Sequence, residues 1–166
     1  SEKLYAETSK IYLGGKSLII NNGVKNMPKK SIVRKKNTYI KDFDSSKIKV
    51  ISLCRFVAQK NIIDILEIAV NLPDINFYIV GNGPLWKFIN FLVIERKINN
   101  VKILRETKNV FNYLYQSDIY LSTSLYEGLP ISILEAMSIG LPIVASNVIG
   151  NSDTIDNGKS GFLYDL

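Results

Sequence analysis

The chain is expected to fold as a doubly wound parallel α/β sheet, a Rossmann-like domain, on three observations. From Lys47 onward, short apolar runs alternate with segments whose apolar residues recur at helical spacing. The runs are continuously apolar, as strands buried on both faces must be, which implies a parallel sheet covered by helices. Crossovers between parallel strands are right-handed, and that rule makes the alternation a doubly wound sheet.

Taken in order, residues 3–12 read as the last turns of a helix. Lys16 to Val24 is a short strand ending in an Asn-Gly turn. Residues 25–46 are polar and basic, carry Pro28, and read as a linker or long loop. Ile48 to Leu53 is the first strand of the main sheet, and Ile62 to Leu72 has the apolar spacing of a helix. A second strand, Ile75 to Val80, is stopped by Gly81-Asn82-Gly83-Pro84, and Leu85 to Lys97 is a helix. Val101 to Leu104 is a strand, Val110 to Gln116 a short helix, and Ile119 to Ser122 a strand. A helix over Pro130 to Ser138, a strand over Ile143 to Ala145 and a final strand over Gly161 to Tyr164 complete the series. Ligands of such sheets gather at the carboxyl ends of the strands.

Composition narrows the function. With 166 residues and 46% apolar content, one core and one domain are expected. No apolar run approaches the ~18 residues needed to span a bilayer, and the first residues carry no signal-peptide pattern. Cys54 is the single cysteine, so no disulfide framework can form, and a reducing cytoplasm is expected. The absence of histidine excludes histidine-activated nucleophiles and removes the commonest metal ligand. Residues 1–60 hold 14 Lys/Arg against 4 Asp/Glu, and residues 61–166 hold 7 against 11. The basic part fits an anionic membrane surface or a phosphorylated ligand, with a solvated face as the plain reading. No basic recognition helix, zinc spacing or aromatic nucleic-acid motif supports nucleic acid. Gly14-Gly15-Lys16-Ser17 is no phosphate loop, because Lys10 stands where its first glycine is required.

The stretch from Tyr126 to Met137 carries the chemistry. Glu127 precedes a Gly128-Leu129-Pro130 turn, and Glu135 lies within the helix that follows. Proline suits the first helical position, leaving the N–H groups of Ile131, Ser132 and Ile133 free at the positive end of the helix. Such an end takes phosphate. Glu135, one turn further in, suits a neutral diol such as a ribose, and Glu127 can meet hydroxyls on the other side. The constellation reads as a site for a nucleoside–diphosphate–sugar. Arg55 ends the first strand and Lys60 follows five residues later, a planar fork and a mobile point charge suited to a diphosphate. Ser122, Thr123 and Ser124 either bond phosphate or cap the turn.

These residues resemble the retaining glycosyltransferases of the GT-B fold, the group 1 (family 4) type that includes bacterial polysaccharide, lipopolysaccharide and mannosyl transferases. The resemblance rests on Glu-x7-Glu at Glu127 and Glu135, on Ala136-Met137 through Ala145-Ser146 after it, and on the Arg-x4-Lys of Arg55 and Lys60. It covers most of residues 18–164. It implies the C-terminal, donor-binding half of such an enzyme, with residues 1–24 a remnant of the interdomain junction and 47–166 the nucleotide-sugar domain. The helices that follow the last strand in the family lie beyond Leu166, so an excised domain or truncated product is expected. The resemblance further implies catalytic roles for Glu127, Arg55 and Lys60. Nucleotide contacts are implied from Glu135, Gly128, Leu129, Pro130, Ile131, Ser132, Gly81 and Gly83. Leu104 and Arg105 are implied to hold the base, although Arg105-Glu106 stands where the family has glycine. Asn147 to Ile155 departs from the family's Gly-Gly-x-x-Glu loop near the donor sugar. The donor implied is a UDP- or GDP-sugar used without metal, there being no Asp-x-Asp pair, and the acceptor a glycan or lipid-linked sugar. Two rivals are a non-catalytic nucleotide-binding module and an NAD-type oxidoreductase or sugar-nucleotide epimerase. Trp86 stands where a dinucleotide fingerprint would need glycine, which counts against the oxidoreductase.

Overall fold

Six strands form a single sheet in the order β3-β2-β1-β4-β5-β6, with every neighbouring pair parallel, in a computed structural model of the chain. They are β1 (Lys49–Leu53), β2 (Asn76–Gly81), β3 (Val101–Arg105), β4 (Ile119–Ser122), β5 (Ile143–Ser146) and β6 (Phe162–Tyr164). The helices are α1 (Ile62–Asn71), α2 (Trp86–Glu95), α3 (Phe111–Leu114), α4 (Ile131–Ser138) and α5 (Asn151–Thr154), with a 3-10 turn at Ala58–Lys60. The structure describes residues 23–24, 46–106 and 110–166. The helix expected at 3–12, most of the strand expected at 16–24 and most of the linker expected at 25–46 lie outside the described residues.

The expected doubly wound α/β class is the observed one. Alternation along each strand divides two cores across the sheet. Ile51, Leu53, Tyr78, Val80 and Tyr120 face Leu114 of α3 and Ile133, Ala136 and Ile139 of α4 and its end. Val50, Phe77, Ile79 and Leu121 face the opposite way, onto Ile62, Ile65, Leu66 and Ala69 of α1 and Ile89 of α2. Those four α1 residues recur at i, i+3, i+4 and i+7, a single stripe, so the helix buries the face its sequence makes apolar. Burial of each isoleucine or leucine of that stripe is worth about 1.5–3 kcal/mol, and ordering the chain offsets most of that sum.

The strand order places the site. The chain winds outward from β1 to β3, then returns to lay β4 on the other side of β1. The connections after β1 and β4 therefore diverge in opposite directions, and a crevice opens between them at the carboxyl edge. Among the described residues no helix is long and apolar enough to cross a membrane.

Candidate functional site

The segment that leaves β1 carries Arg55, which is exposed and whose side chain has no partner among the described residues. It then makes the 3-10 turn that ends on Lys60. Asn61 reverses the chain into α1 from the left-handed region at φ 44°, which asparagine tolerates better than most residues. Its Nδ2 donates to Asp64 Oδ2 at 2.5 Å. The Thr123 hydroxyl, at the end of β4, donates to the carbonyls of Lys60 (2.9 Å) and Asn61 (3.0 Å). The Leu125 N–H donates to the Gln59 carbonyl at 2.8 Å, and Gln59 Nε2 to the Tyr126 carbonyl at 2.8 Å. Four hydrogen bonds thus lock the Lys60 turn to the Tyr126-Glu127 loop.

Across that lock Lys60 Nζ forms an ion pair with Glu127 Oε1. The two side chains are 20% and 9% exposed, so the pair lies in a partly dried crevice rather than on open surface. The same Oε1 accepts from Ser124 Oγ at 2.6 Å. Of the two readings of the small polar residues, turn-building therefore describes Thr123 and Ser124, whose hydroxyls already have protein acceptors. Cys54, just before Arg55, is largely covered, and burial pushes its thiol up to about 11, against the smaller pull of Ser52 and Lys60.

Helix α4 departs from expectation at its first residues. Pro130 is the N-cap, with extended backbone (φ −78°, ψ 94°), and Ile131 is the first helical residue. The Pro130 carbonyl accepts from both Ile133 (3.1 Å) and Leu134 (3.2 Å). The Ile133 N–H is consequently not free, and of the three N–H groups expected to be free only those of Ile131 and Ser132 have no acceptor among the described residues. The Tyr120 hydroxyl donates to the Leu53 carbonyl (3.2 Å) and lies 2.8 Å from Ser132 Oγ, tying the first turn of α4 to β1. Gly128 and Leu129 form the half-buried turn before it, and a Cβ on Gly128 would meet nothing within 4 Å.

Glu135 is half-buried and its carboxylate has no partner among the described residues. Burial raises its carboxyl above the ordinary value. A raised folded-state value means stability that is complete below the unfolded value of about 4.3 and is lost as pH rises through the folded one. Glu135→Gln should therefore be more stable than the unaltered chain at pH 7–8, with the difference vanishing below pH 4. Urea unfolding at both pH values measures it. Equal stabilities at neutral pH would show that the carboxylate is solvated after all.

Gly81 and Gly83 are required by the protein's own backbone. A Cβ at Gly81 would lie 1.8 Å from the Cys54 carbonyl oxygen, and one at Gly83 2.7 Å from Phe56 N and O. These glycines hold the Arg55 segment against the end of β2. Arg105 ends β3 with its guanidinium 4.1 Å from the centroid of the Trp86 ring, and its Nη1 donates to Asn82 Oδ1 at 3.0 Å. Leu104 is partly buried against the core on the α3 and α4 side of the sheet.

Sequence reading missed the grip of the loop after β5. Gly150, at φ 89°, lies so close to the Glu127–Gly128 turn that a Cβ would fall 2.3 Å from the Gly128 carbonyl. Glu127 N–H donates to the Ile149 carbonyl at 3.3 Å. The one signal was Gly150 itself, in a loop otherwise unlike its family pattern. Among the described residues no cluster of three or more histidine, cysteine, aspartate or glutamate residues is placed to hold a metal ion.

Residues 33–165 match the family model described as Glycosyl transferases group 1. The UDP-Gal:α-D-GlcNAc-diphosphoundecaprenol α-1,3-galactosyltransferase of Escherichia coli is 37% identical over 97 residues, covering 57% of this chain and 25% of that protein. The GtfA subunit of the UDP-N-acetylglucosamine–peptide N-acetylglucosaminyltransferase of Streptococcus agalactiae is 29% identical over 119 residues, 69% of this chain and 24% of the relative. A variant of TarM from S. aureus, crystallised with fondaparinux, α-GlcNAc-glycerol and UDP, superposes with a TM-score of 0.83 at 25% identity, over 99% of this chain and 32% of that one. The parallel sheet is thus of the kind typical of GT-B C-terminal domains. The chain spans about a quarter of the length of these curated relatives and about a third of TarM.

Proposed function

Since the chain belongs to the group 1 glycosyl transferases, we propose that it is the donor-binding domain of a retaining enzyme that transfers sugar from a UDP-sugar to a glycan or lipid-linked acceptor. One observation carries this reading. Lys60, Glu127, Arg55 and the unbonded N–H groups of Ile131 and Ser132 all lie on the two connections that diverge at the switch point. Cations and helix amides suit a diphosphate, and carboxylates suit hydroxyls on either side of it. Glu135 would bind the ribose and Glu127 the donor sugar.

The reaction assigned to the whole protein is departure of UDP from an oxocarbenium-like centre. Arg55, Lys60 and the α4 amides would stabilise the charge growing on the leaving phosphate, at about 3 kcal/mol per well-placed donor. Lys60 is held by Glu127 in the free chain, so the diphosphate must take over the ammonium as the carboxylate turns to the sugar. Arg105, stacked on Trp86, stands at the carboxyl edge where Leu104 and Arg105 would meet the base. UDP is favoured over GDP because the E. coli galactosyltransferase and the TarM complex are both named with uridine nucleotides. The basic residues among the first 60 support contact of the whole protein with an anionic membrane surface on the cytoplasmic side.

Calorimetry tests the reading. UDP should bind the chain in the presence of EDTA, and more tightly than GDP. A protein folded by circular dichroism that gives no heat with either nucleotide would remove the assignment.

A further inference from the structure

Beneath the Glu127 loop lies a buried polar chain. Asn151 and Ser146 are both fully buried. Asn151 Nδ2 donates to the Ser146 carbonyl at 3.0 Å and lies 3.3 Å from Ser146 Oγ. Ser146 Oγ in turn donates to the Ser124 carbonyl at 2.5 Å. Ser124 Oγ, on the same residue, donates to Glu127 Oε1 at 2.6 Å. The series runs from the first residue of α5, through the last residue of β5, to the carboxylate between Lys60 and the crevice.

We propose that Ser146 and Asn151 are positioning residues that act through Ser124 to aim the Glu127 carboxylate, and so set how strongly the site prefers a nucleotide sugar to the bare nucleotide. This rests on the donor-binding reading above. Three facts support it. First, Ser124 presents its carbonyl to Ser146 and its hydroxyl to Glu127, so a shift of its peptide moves the hydroxyl that orients the carboxylate. Second, the arrangement costs stability, since Asn151 Oδ1 is buried with no hydrogen-bond partner among the described residues. Apolar side chains would hold β5 against β4 at least as firmly, but they could not orient a peptide group. Third, the loop between the two residues already grips the same turn, through the Ile149 carbonyl and Gly150. Lys60 alone would leave Glu127 free to swing with a long side chain; the buried chain fixes it from the other side.

The test compares dissociation constants for UDP with those for UDP-galactose, UDP-glucose and UDP-N-acetylglucosamine, using whichever sugar binds most tightly. Ser146→Ala should leave UDP within about twofold and weaken the nucleotide sugar about tenfold, the scale of one misaligned charge-assisted hydrogen bond. In a Glu127→Ala background Ser146→Ala should have no further effect on that ratio, which a merely structural role would not predict. Asn151→Leu, of similar shape, should repeat the pattern and serves if Ser146→Ala fails to fold. Equal weakening of UDP and UDP-sugar, or a change of ratio that persists without Glu127, would overturn the proposal and leave the donor-site reading standing. So would an unaltered chain that binds UDP but gains nothing from the sugar. No binding of UDP by the unaltered chain would bring down both.

Discussion

Gly81→Ala is expected to destabilise the domain by about 3 kcal/mol or more, the upper end of what overpacking a close-packed interior produces. The new methyl would lie 1.8 Å from the Cys54 carbonyl oxygen, a distance no side-chain rotation relieves, because the obstacle is backbone. The Cys54–Phe56 segment cannot retreat easily. Its N–H groups at Cys54 and Phe56 donate to the carbonyls of Val80 (3.0 Å) and Asn82 (2.9 Å), and Leu85 N–H donates to the Phe56 carbonyl (2.9 Å). Moving it would open the end of the β1–β2 ladder and displace Arg55. Gly128→Ala is the control, since a Cβ there meets nothing within 4 Å, and its unfolding free energy should stay within about 0.5 kcal/mol of the unaltered chain's. Urea unfolding with unchanged slope measures both. A mild effect at Gly81 would mean that the Arg55 segment is looser than its hydrogen bonds imply.

Much of this was legible because it is local. The i, i+3, i+4, i+7 stripe of α1 and the continuous apolar runs of β1, β2 and β4 specify buried elements through burial alone. The carboxyl-edge placement of Arg55, Lys60 and Glu127 followed from topology and motif spacing. What escaped depends on partners distant in sequence. Lys60 and Glu127 are 67 residues apart, and Ser124 and Ser146 are 22 apart. Neither pairing has a periodic signature. α5, Asn-Ser-Asp-Thr, has no apolar repeat to announce a helix. Proline at 130 is the N-cap and not the first helical residue, and the sequence alone does not separate them because proline's fixed φ suits both. Its extended ψ of 94° and the carbonyl that accepts from Ile133 and Leu134 distinguish the two. Nor does the motif Gly81-Asn82-Gly83 announce that its glycines also make room for Cys54 to Phe56, which lie 25 or more residues earlier in the chain.

Lys60→Ala should be damaging twice over, in stability and in ligand binding, and the two effects are separable. In the folded chain it strands a carboxylate whose side chain is 9% exposed, leaving Ser124 as its only hydrogen-bond donor among the side chains described. Removing one partner of a buried pair costs about 3–5 kcal/mol; with Lys60 itself 20% exposed, a loss of about 2–3 kcal/mol is expected. Glu127→Ala should cost the fold less, because a freed lysine can carry its ammonium to water on a flexible stem. The double variant should regain most of the stability lost in Lys60→Ala, as a pair that stabilises mainly by mutual neutralisation must. Binding divides the same residues differently. Lys60→Ala should weaken UDP by about 1.5–3 kcal/mol, the worth of a charge-assisted contact. Glu127→Ala should leave UDP as tight or tighter, since the competitor for the ammonium is gone, while removing the advantage of the sugar. Glu135→Ala, by contrast, should weaken UDP and UDP-sugar alike. Calorimetry on the three variants reads all of this from one set of titrations. If Glu127→Ala weakened bare UDP as much as Glu135→Ala does, the two carboxylates would have been given each other's roles. If Lys60→Ala left UDP binding untouched, the ammonium would belong to the fold, and Arg55 with the α4 amides would hold the diphosphate alone.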